Sequence, residues 1–358
     1  MPPSSQRVAI LGAGSIALAS AALLASRSHV PVLWSPRNTR AGGVLEATGA
    51  LSQSVPLEIA TTCEATVTGA DAVLVAVPGP AYRTVLDALA PVLRPGQTVM
   101  ISGHLSFAAL YLSKLLFARG QHNPITAWGT TVVSSRRTGP LSVIVSSVRA
   151  EVEIATVPAT NALEAATLCR TLFGDRFRER PGLLAIALSN VNPQNHLAIA
   201  LCNFTRMERN ETWFQNTNIT AGVGRFMEAL DAERLAAAAA FNVPVRTLRE
   251  HFHRSFHTPE APLGEMARAL AENGSNPAAP TTTETRYVLE DAPFGLHPTA
   301  LLARLAGQPA PLHEAGLAIL SALYGRNLAA DNDILPALGF PSVTGPDLRY
   351  YCESGWLQ

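Results

Sequence analysis

Asn192, Pro193 and His196 interrupt an otherwise apolar stretch from Gly182 to Arg209, GLLAIALSNVNPQNHLAIALCNFTRMER. An imidazole in apolar surroundings needs a polar purpose, and histidine is the side chain best suited to moving protons near neutral pH. Asn192-Pro193 reads as a helix start, the asparagine capping free amides and the proline suiting the first turn. His196 then lies one turn in. Asn203, seven residues on, falls near the same face, and Asn192 shares that face if the cap is open. An imidazole so placed needs a carboxylate to fix its tautomer. Arg286-Tyr287-Val288-Leu289-Glu290-Asp291 offers two. Asp291 is the better candidate, because Ala292-Pro293-Phe294-Gly295 follows as a turn that would hold it; Glu290 is its competitor. The bland alternative makes His196 a satisfied core histidine.

A second chemical signal stands near the amino terminus. Arg7 to Leu11 reads as an apolar strand, then come Gly12-Ala13-Gly14-Ser15-Ile16-Ala17, an apolar helix to about Ser26, and a strand from Val30 to Trp34. Strand, glycine turn, helix and strand form the context a dinucleotide fingerprint requires. Gly12 permits the tight turn, Gly14 lets backbone approach a pyrophosphate, and the helix start supplies amide donors. Ala17 stands where a third glycine is common. After the second strand, Trp34-Ser35-Pro36-Arg37-Asn38-Thr39-Arg40 contains no acid for a ribose 2′-hydroxyl. Ser35 with Arg37 or Arg40 suits a 2′-phosphate instead, with Trp34 or an arginine plane over the adenine. NADP(H) is therefore favoured, with NAD(H) the alternative; solvated loop arginines are the bland reading. Ala70 to Pro78 is another buried parallel strand, and Val77-Pro78 at its end would line the cofactor cleft. His104, after a strand from Gly96 to Ser102, reads as a helix-start or loop residue.

These residues need elements to position them. The strand-like segments between Ala127 and Val157, turning at Gly139-Pro140, read as a sheet extension closed by a helix from Asn161 to Phe173. After Pro181 the pattern is helical: Leu183–Leu188, Gln194–Met207, Thr220–Phe241, Val245–Phe252, Pro262–Ala271, Pro298–Leu305 and Leu312–Leu323. Gly274 to Thr283 reads as a flexible loop able to lie over a cleft. The expected architecture is an α/β Rossmann-type nucleotide-binding domain over 1–178, followed by an all-helical substrate or dimerisation domain over 179–358, with a cleft between them. The apolar helices would either fill their own core or form a symmetric dimer interface.

Composition narrows the partners. The chain has 358 residues, 47 % hydrophobic and 15 % charged, with formal net charge zero. That fits a folded two-domain protein. With no basic surplus, nucleic acid is not an expected partner. Four scattered cysteines have no metal or redox spacing, so neither a metal nor a structural disulfide is expected. Met1 to Arg7 reads as a polar lead-in rather than a signal peptide, and Glu233 and Arg234 interrupt the longest alanine-rich helix. The expected location is the cytoplasm, with no membrane partner.

On the glycine turn, the Asn192-Pro193-x-x-His196 pattern and the block Thr285-Arg286-Tyr287-x-x-Glu290-Asp291-x-x-x-Gly295-Leu296, the chain resembles the opine dehydrogenase family over nearly its full length. The resemblance implies a nucleotide domain joined to an all-helical one. It implies reductive condensation of a 2-oxo acid with an amine, usually an amino acid's, through an imine, and the reverse oxidative cleavage. It implies that His196 is the catalytic histidine, Asp291 its acidic partner, Arg286 a binder of substrate carboxylate and Asn192 a neighbour of the reacting centre. Asn195 and Leu197 flank His196 where relatives often carry other residues. Gln194, Asn195, Thr205, Arg206 and Trp213 would shape an unusual amine pocket, even for an amine lacking a carboxylate. Ordinary ketone or 2-oxo acid reduction would use the same histidine and arginine. A non-catalytic NADP(H)-binding sensor is the alternative of another class.

Overall fold

A computed structural model describes residues 5–37, 42–340 and 342–356. The chain forms two compact units, 1–187 with 337–358, and 188–336. The strands of the first unit are β1 (Arg7–Leu11), β2 (Val30–Trp34), β3 (Gly43–Gly49), β4 (Gln53–Ile59), β5 (Ala72–Val75), β6 (Thr98–Ile101), β7 (Ile125–Trp128), β8 (Val133–Gly139), β9 (Ser142–Val148), β10 (Val152–Val157) and β11 (Phe177–Glu179). They form one sheet in the order β11-β10-β7-β6-β5-β1-β2-β4-β3-β9-β8. From β7 to β4 neighbouring strands are parallel. Strands covered on both faces read as apolar runs, as β1, β5 and β6 do. The helix Ser15–Ser26 buries Ala17, Ala19, Ala21 and Ala22 in the same core as Val8, Ile10 and Leu33; its small side chains let helix and sheet approach closely. The chain leaves β1 toward β2 on one side and returns to β5 on the other. This is the Rossmann-type plan, and its reversal opens a crevice beyond the carboxyl ends of β1 and β5.

The sheet extension around Gly139-Pro140 is the β8–β9 hairpin, which joins the sheet through β3. The β3–β4 hairpin was not anticipated. Each strand buries only alternate side chains, Leu45 and Ala47 on one and Val55, Leu57 and Ile59 on the other. That period-two pattern was the available signal. The segment from Phe177 to Glu179, which straddles the division expected at 178/179, pairs with β10.

By compactness the chain divides at 187/188 rather than at 178/179, and its last residues group with the first unit. The helix Gly182–Ser189 carries the chain out of the first unit, and residues 337–358 return to it. That return is held by specific contacts. Lys114 Nζ donates to Ala337 O at 2.8 Å and sits over the Trp356 ring, whose backbone N–H donates to Ser113 Oγ at 2.8 Å. The helix Gly345–Ser354, closed by a Thr344/Asp347 capping box, had been missed.

The second unit is helical. Leu197, Ile199, Met227, Leu230, Met266 and Leu296 share its core. The helix expected over Gln194–Met207 is two, Asn192–Cys202 and Phe204–Glu208, because Asn203 turns its Nδ2 onto Ile199 O at 3.0 Å. The helix expected from Val245 starts at Leu248, where Thr247 and Glu250 form a capping box. Arg234 in the long helix Ala221–Ala240 is fully buried. It donates to Asp231 Oδ1 at 2.6 Å and to the carbonyls of Leu188 and Arg246, while Asp231 Oδ2 accepts from Leu248 N at 2.7 Å. The stretch from Gly274 to Thr283 is pinned rather than loose: Ala279 N donates to Trp213 O at 3.0 Å, and Gln215 N to Pro277 O at 2.9 Å. Among the described residues no helix is long and apolar enough to cross a membrane.

Candidate active site

The helix Asn192–Cys202 brings His196 one turn from its start. Its Nδ1 lies 2.7 Å from Asp291 Oδ2, with His196 9 % and Asp291 1 % exposed. An ionised carboxylate only accepts, so Nδ1 carries the proton and Nε2 is left for chemistry. Tyr287 covers the ring, stacked at 3.7 Å between centroids and 11° between planes. The Tyr287 hydroxyl donates to Gln215 Oε1 at 2.7 Å, which fixes the stack from its far end. Neither Tyr287 nor Gln215 was singled out from sequence for this role. Tyr287 lies four residues before Asp291, across a short helical segment, and that spacing was the available signal.

The segment carrying Asp291 is built to stay in place. Arg286–Leu289 is a short helix whose Thr285 side chain accepts from Tyr287 N, and Ala292–Leu296 is a π-helical turn. Such turns interrupt the regular ladder, and here the freed Pro293 carbonyl accepts from Asn332 Nδ2 at 2.8 Å. Gly295 lies directly against the start of the histidine helix, where a Cβ would stand 2.3 Å from Pro193 Cγ. Glu290 faces elsewhere, with Oε2 3.3 Å from Arg286 Nε. The contact to His196 therefore belongs to Asp291. Arg286 remains largely exposed.

Other expected site residues fall differently. Asn192 is the exposed first residue of the helix rather than its cap; the Asn190 side chain accepts from Asn192 N at 3.1 Å instead. Gln194 is buried, its Nε2 2.9 Å from His313 Nε2, and His313 is held through Nδ1 by Glu233 at 2.7 Å. Trp213 is buried and donates from Nε1 to Pro280 O at 2.9 Å. Both are committed to internal contacts and do not form a free amine pocket. Arg206 lies over the Trp213 ring, and Thr205 is exposed.

In the first unit the glycine turn has the expected form. Gly12 has φ 142°, its N–H donates to Trp34 O at 2.7 Å, and a Cβ there would strike Ala76 O at 2.3 Å. At Gly14 a Cβ would meet nothing within 4 Å, so the space before the helix start is open to a ligand. Gly14 itself precedes the helix, whose first turn opens at Ser15 and Ile16 with no side-chain cap, leaving amides for an anion. A cavity of about 620 Å³ is lined there by Ala13, Gly14, Ser35, Pro36, Arg37, Val77, Pro78 and Arg137, among others. An open turn, uncapped amides and a basic wall fit a dinucleotide. Trp34 is a correction: it is buried and does not line the cavity, so its ring does not cover an adenine there. Ala17 is buried against the sheet. Asn38 and Arg40 lie outside the described residues. His104 is a buried helix-start residue whose Nε2 accepts from Ala109 N at 3.2 Å. Among the described residues no cluster of side chains could hold a metal ion.

Comparison with known proteins follows the same two units. Residues 179–324 match the family described as NAD/NADP octopine/nopaline dehydrogenase, alpha-helical domain, and residues 8–159 match ketopantoate reductase PanE/ApbA. Opine dehydrogenase of Arthrobacter sp. (strain 1C) is 26 % identical, with 98 % of this chain and 99 % of that protein covered. The helical half thus matches the octopine/nopaline dehydrogenase family, and the chain is similar to an opine dehydrogenase along nearly its full length. Solved octopine and yersinopine dehydrogenases share its fold. Octopine dehydrogenase with NADH and L-arginine superposes with a TM-score of 0.80 at 15 % identity, covering 99 % of both chains. Its complex with NADH and pyruvate gives 0.73 at 16 % identity and 89 % of both. Yersinopine dehydrogenase with NADP+ gives 0.69 at 16 % identity, covering 96 % of this chain and 94 % of that one. The helical-domain match spans His196, Tyr287 and Asp291.

Proposed function

We propose that the protein catalyses NAD(P)H-dependent reductive condensation of a 2-oxo acid with an amine or amino acid, through an imine, and the reverse oxidative cleavage. The observation that carries this reading is the His196–Asp291 pair, its imidazole stacked under Tyr287, in a chain whose other unit has an open glycine turn for a dinucleotide. Condensation of amine and oxo acid gives an imine and releases water. A dinucleotide held at the glycine turn beside Ser35 and Arg37 would supply the hydride for the imine carbon. The chain's residues handle the protons and the charges. His196 Nε2 takes a proton from the incoming ammonium, which frees the amine to attack, and gives that proton to the departing hydroxyl; loss of water leaves the nitrogen protonated, as an iminium electrophilic at carbon. Asp291 holds Nδ1–H and so keeps Nε2 directed at substrate. Arg286 binds the substrate carboxylate through the part of its planar fork that Glu290 leaves available. Yersinopine dehydrogenase with NADP+ and octopine dehydrogenase with NADH support use of either cofactor, and Arg37 with Ser35 favours NADP(H).

The test is oxidation of NADPH and NADH with pyruvate or glyoxylate, with and without a pool of amino acids and simple amines, and with product mass determined. A rate that requires amine, with the mass of the reduced condensation product, is the expected result. An amine-independent rate yielding a hydroxy acid would replace this reading with carbonyl reduction on the same scaffold.

A further inference from the structure

The cavity beside the glycine turn contains a cation that no sequence motif announces. Arg137 lies in β8, close to the hairpin turn, and three carbonyls fix its guanidinium. Nε donates to Gly139 O at 2.8 Å, one terminal nitrogen to Pro140 O at 2.7 Å, and the other to Ala13 O at 3.1 Å. Two acceptors belong to its own hairpin. The third belongs to the glycine turn, 124 residues earlier. A guanidinium has five N–H groups, so one on each terminal nitrogen remains. Among the described residues no carboxylate forms an ion pair with Arg137. Carbonyl dipoles hold the group in place but leave its full charge uncompensated.

Its setting says what that charge is for. Arg137 lines the same cavity as Gly14, where the space before the helix start is open, and as Ser35 and Arg37 at the end of β2. We propose that Arg137 is a phosphate-binding residue of the dinucleotide site, a preset fork contributed by the sheet extension and shared with Arg37. This rests on the nucleotide-binding part of the proposed function. A fork already immobilised by three acceptors loses little further freedom on binding an anion, so its two remaining N–H groups act as ready-made donors to phosphate oxygens. The hairpin then has a function besides extending the sheet: it carries a cation from far along the chain to the glycine turn.

The experiment is calorimetric titration of the full-length protein and its R137M variant with NADP+, NAD+, 2′,5′-ADP and 5′-AMP. Arg137→Met keeps an unbranched stem and removes the charge. The expected result is affinity weakened about tenfold or more. Loss confined to NADP+ and 2′,5′-ADP assigns Arg137 to the 2′-phosphate; loss shared by NADP+ and NAD+ assigns it to the pyrophosphate. Unchanged affinity for all four nucleotides overturns the inference. If R137M does not fold, R137K, with a point charge on a similar stem, decides: weaker binding than the parent supports the fork, and equal binding overturns it. A parent protein that binds none of the four would instead overturn the nucleotide reading beneath it.

Discussion

At the scale of single residues, two adjacent acids have different jobs. Asp291 sits 2.7 Å from His196 Nδ1, while Glu290 turns to Arg286. The sequence made both available and left the choice open, because consecutive side chains leave a helical segment about 100° apart and nothing local says which direction faces the imidazole. The structure decides it through the Arg286–Glu290 spacing of four, which draws Glu290 along its own helix face. Asp291→Asn keeps the volume but removes the acceptor-only partner that fixes Nδ1–H. Turnover is expected to fall about a hundredfold or more, with nucleotide affinity unchanged. E290Q, which only loosens Arg286, should cost much less turnover and act mainly on KM for the oxo acid. Steady-state kinetics and nucleotide titration of both variants check this, and equal losses of turnover would remove Asp291 from its positioning role.

At the scale of elements, the site depends on how closely two segments meet. Gly295 admits the Pro193 ring, and a methyl group there would lie 2.3 Å from Pro193 Cγ. Proline at a helix start is a stiff neighbour, so the π-helical turn must shift and carry Asp291 with it. Gly295→Ala is expected to lower stability by about 1–3 kcal/mol, the usual range for overpacking, and to lower turnover beyond what its remaining folded fraction explains. Denaturant melts beside kinetics separate the two effects. Element starts with strong local chemistry were legible: the glycine turn, the Thr220 cap and the start near Pro193 lie within a residue or two of their expected places. The break at Asn203 and the β3–β4 hairpin were not. The first depends on a single side-chain bond to Ile199 O, and the second on strands so sparsely buried that each shows only two or three core side chains.

At the scale of the whole molecule, contacts far apart in sequence were the hardest to foresee. The return of 337–358 to the first unit depends on Ser113 and Lys114 meeting Trp356 and Ala337, more than two hundred residues along the chain; no periodicity in either segment encodes that meeting. Arg137 and Ala13 are a second case. Burial in the first unit also makes its stability depend on pH, through His104. Burial pushes its pKa from 6.5 down to about 3, while Nε2 accepts from Ala109 N. Between those two values the unfolded chain binds a proton at this position that the folded chain does not. Its contribution is therefore intact above pH 6.5 and is lost progressively as pH falls toward 3. From pH 7 to pH 5 the loss amounts to about 2 kcal/mol. Glu233 in the second unit behaves differently. Burial raises its pKa, but the His313 side chain and the Leu312 and His313 amides outweigh that and hold it below the ordinary 4.5, so its contribution persists to more acidic pH. H104Q keeps an acceptor for the Ala109 amide and removes the titration. Its unfolding free energy, measured by denaturant at both pH values, should decline from pH 7 to pH 5 by about 2 kcal/mol less than that of the parent. A parallel decline in the two proteins would mean that His104 takes up its proton in the folded state as readily as in the unfolded one.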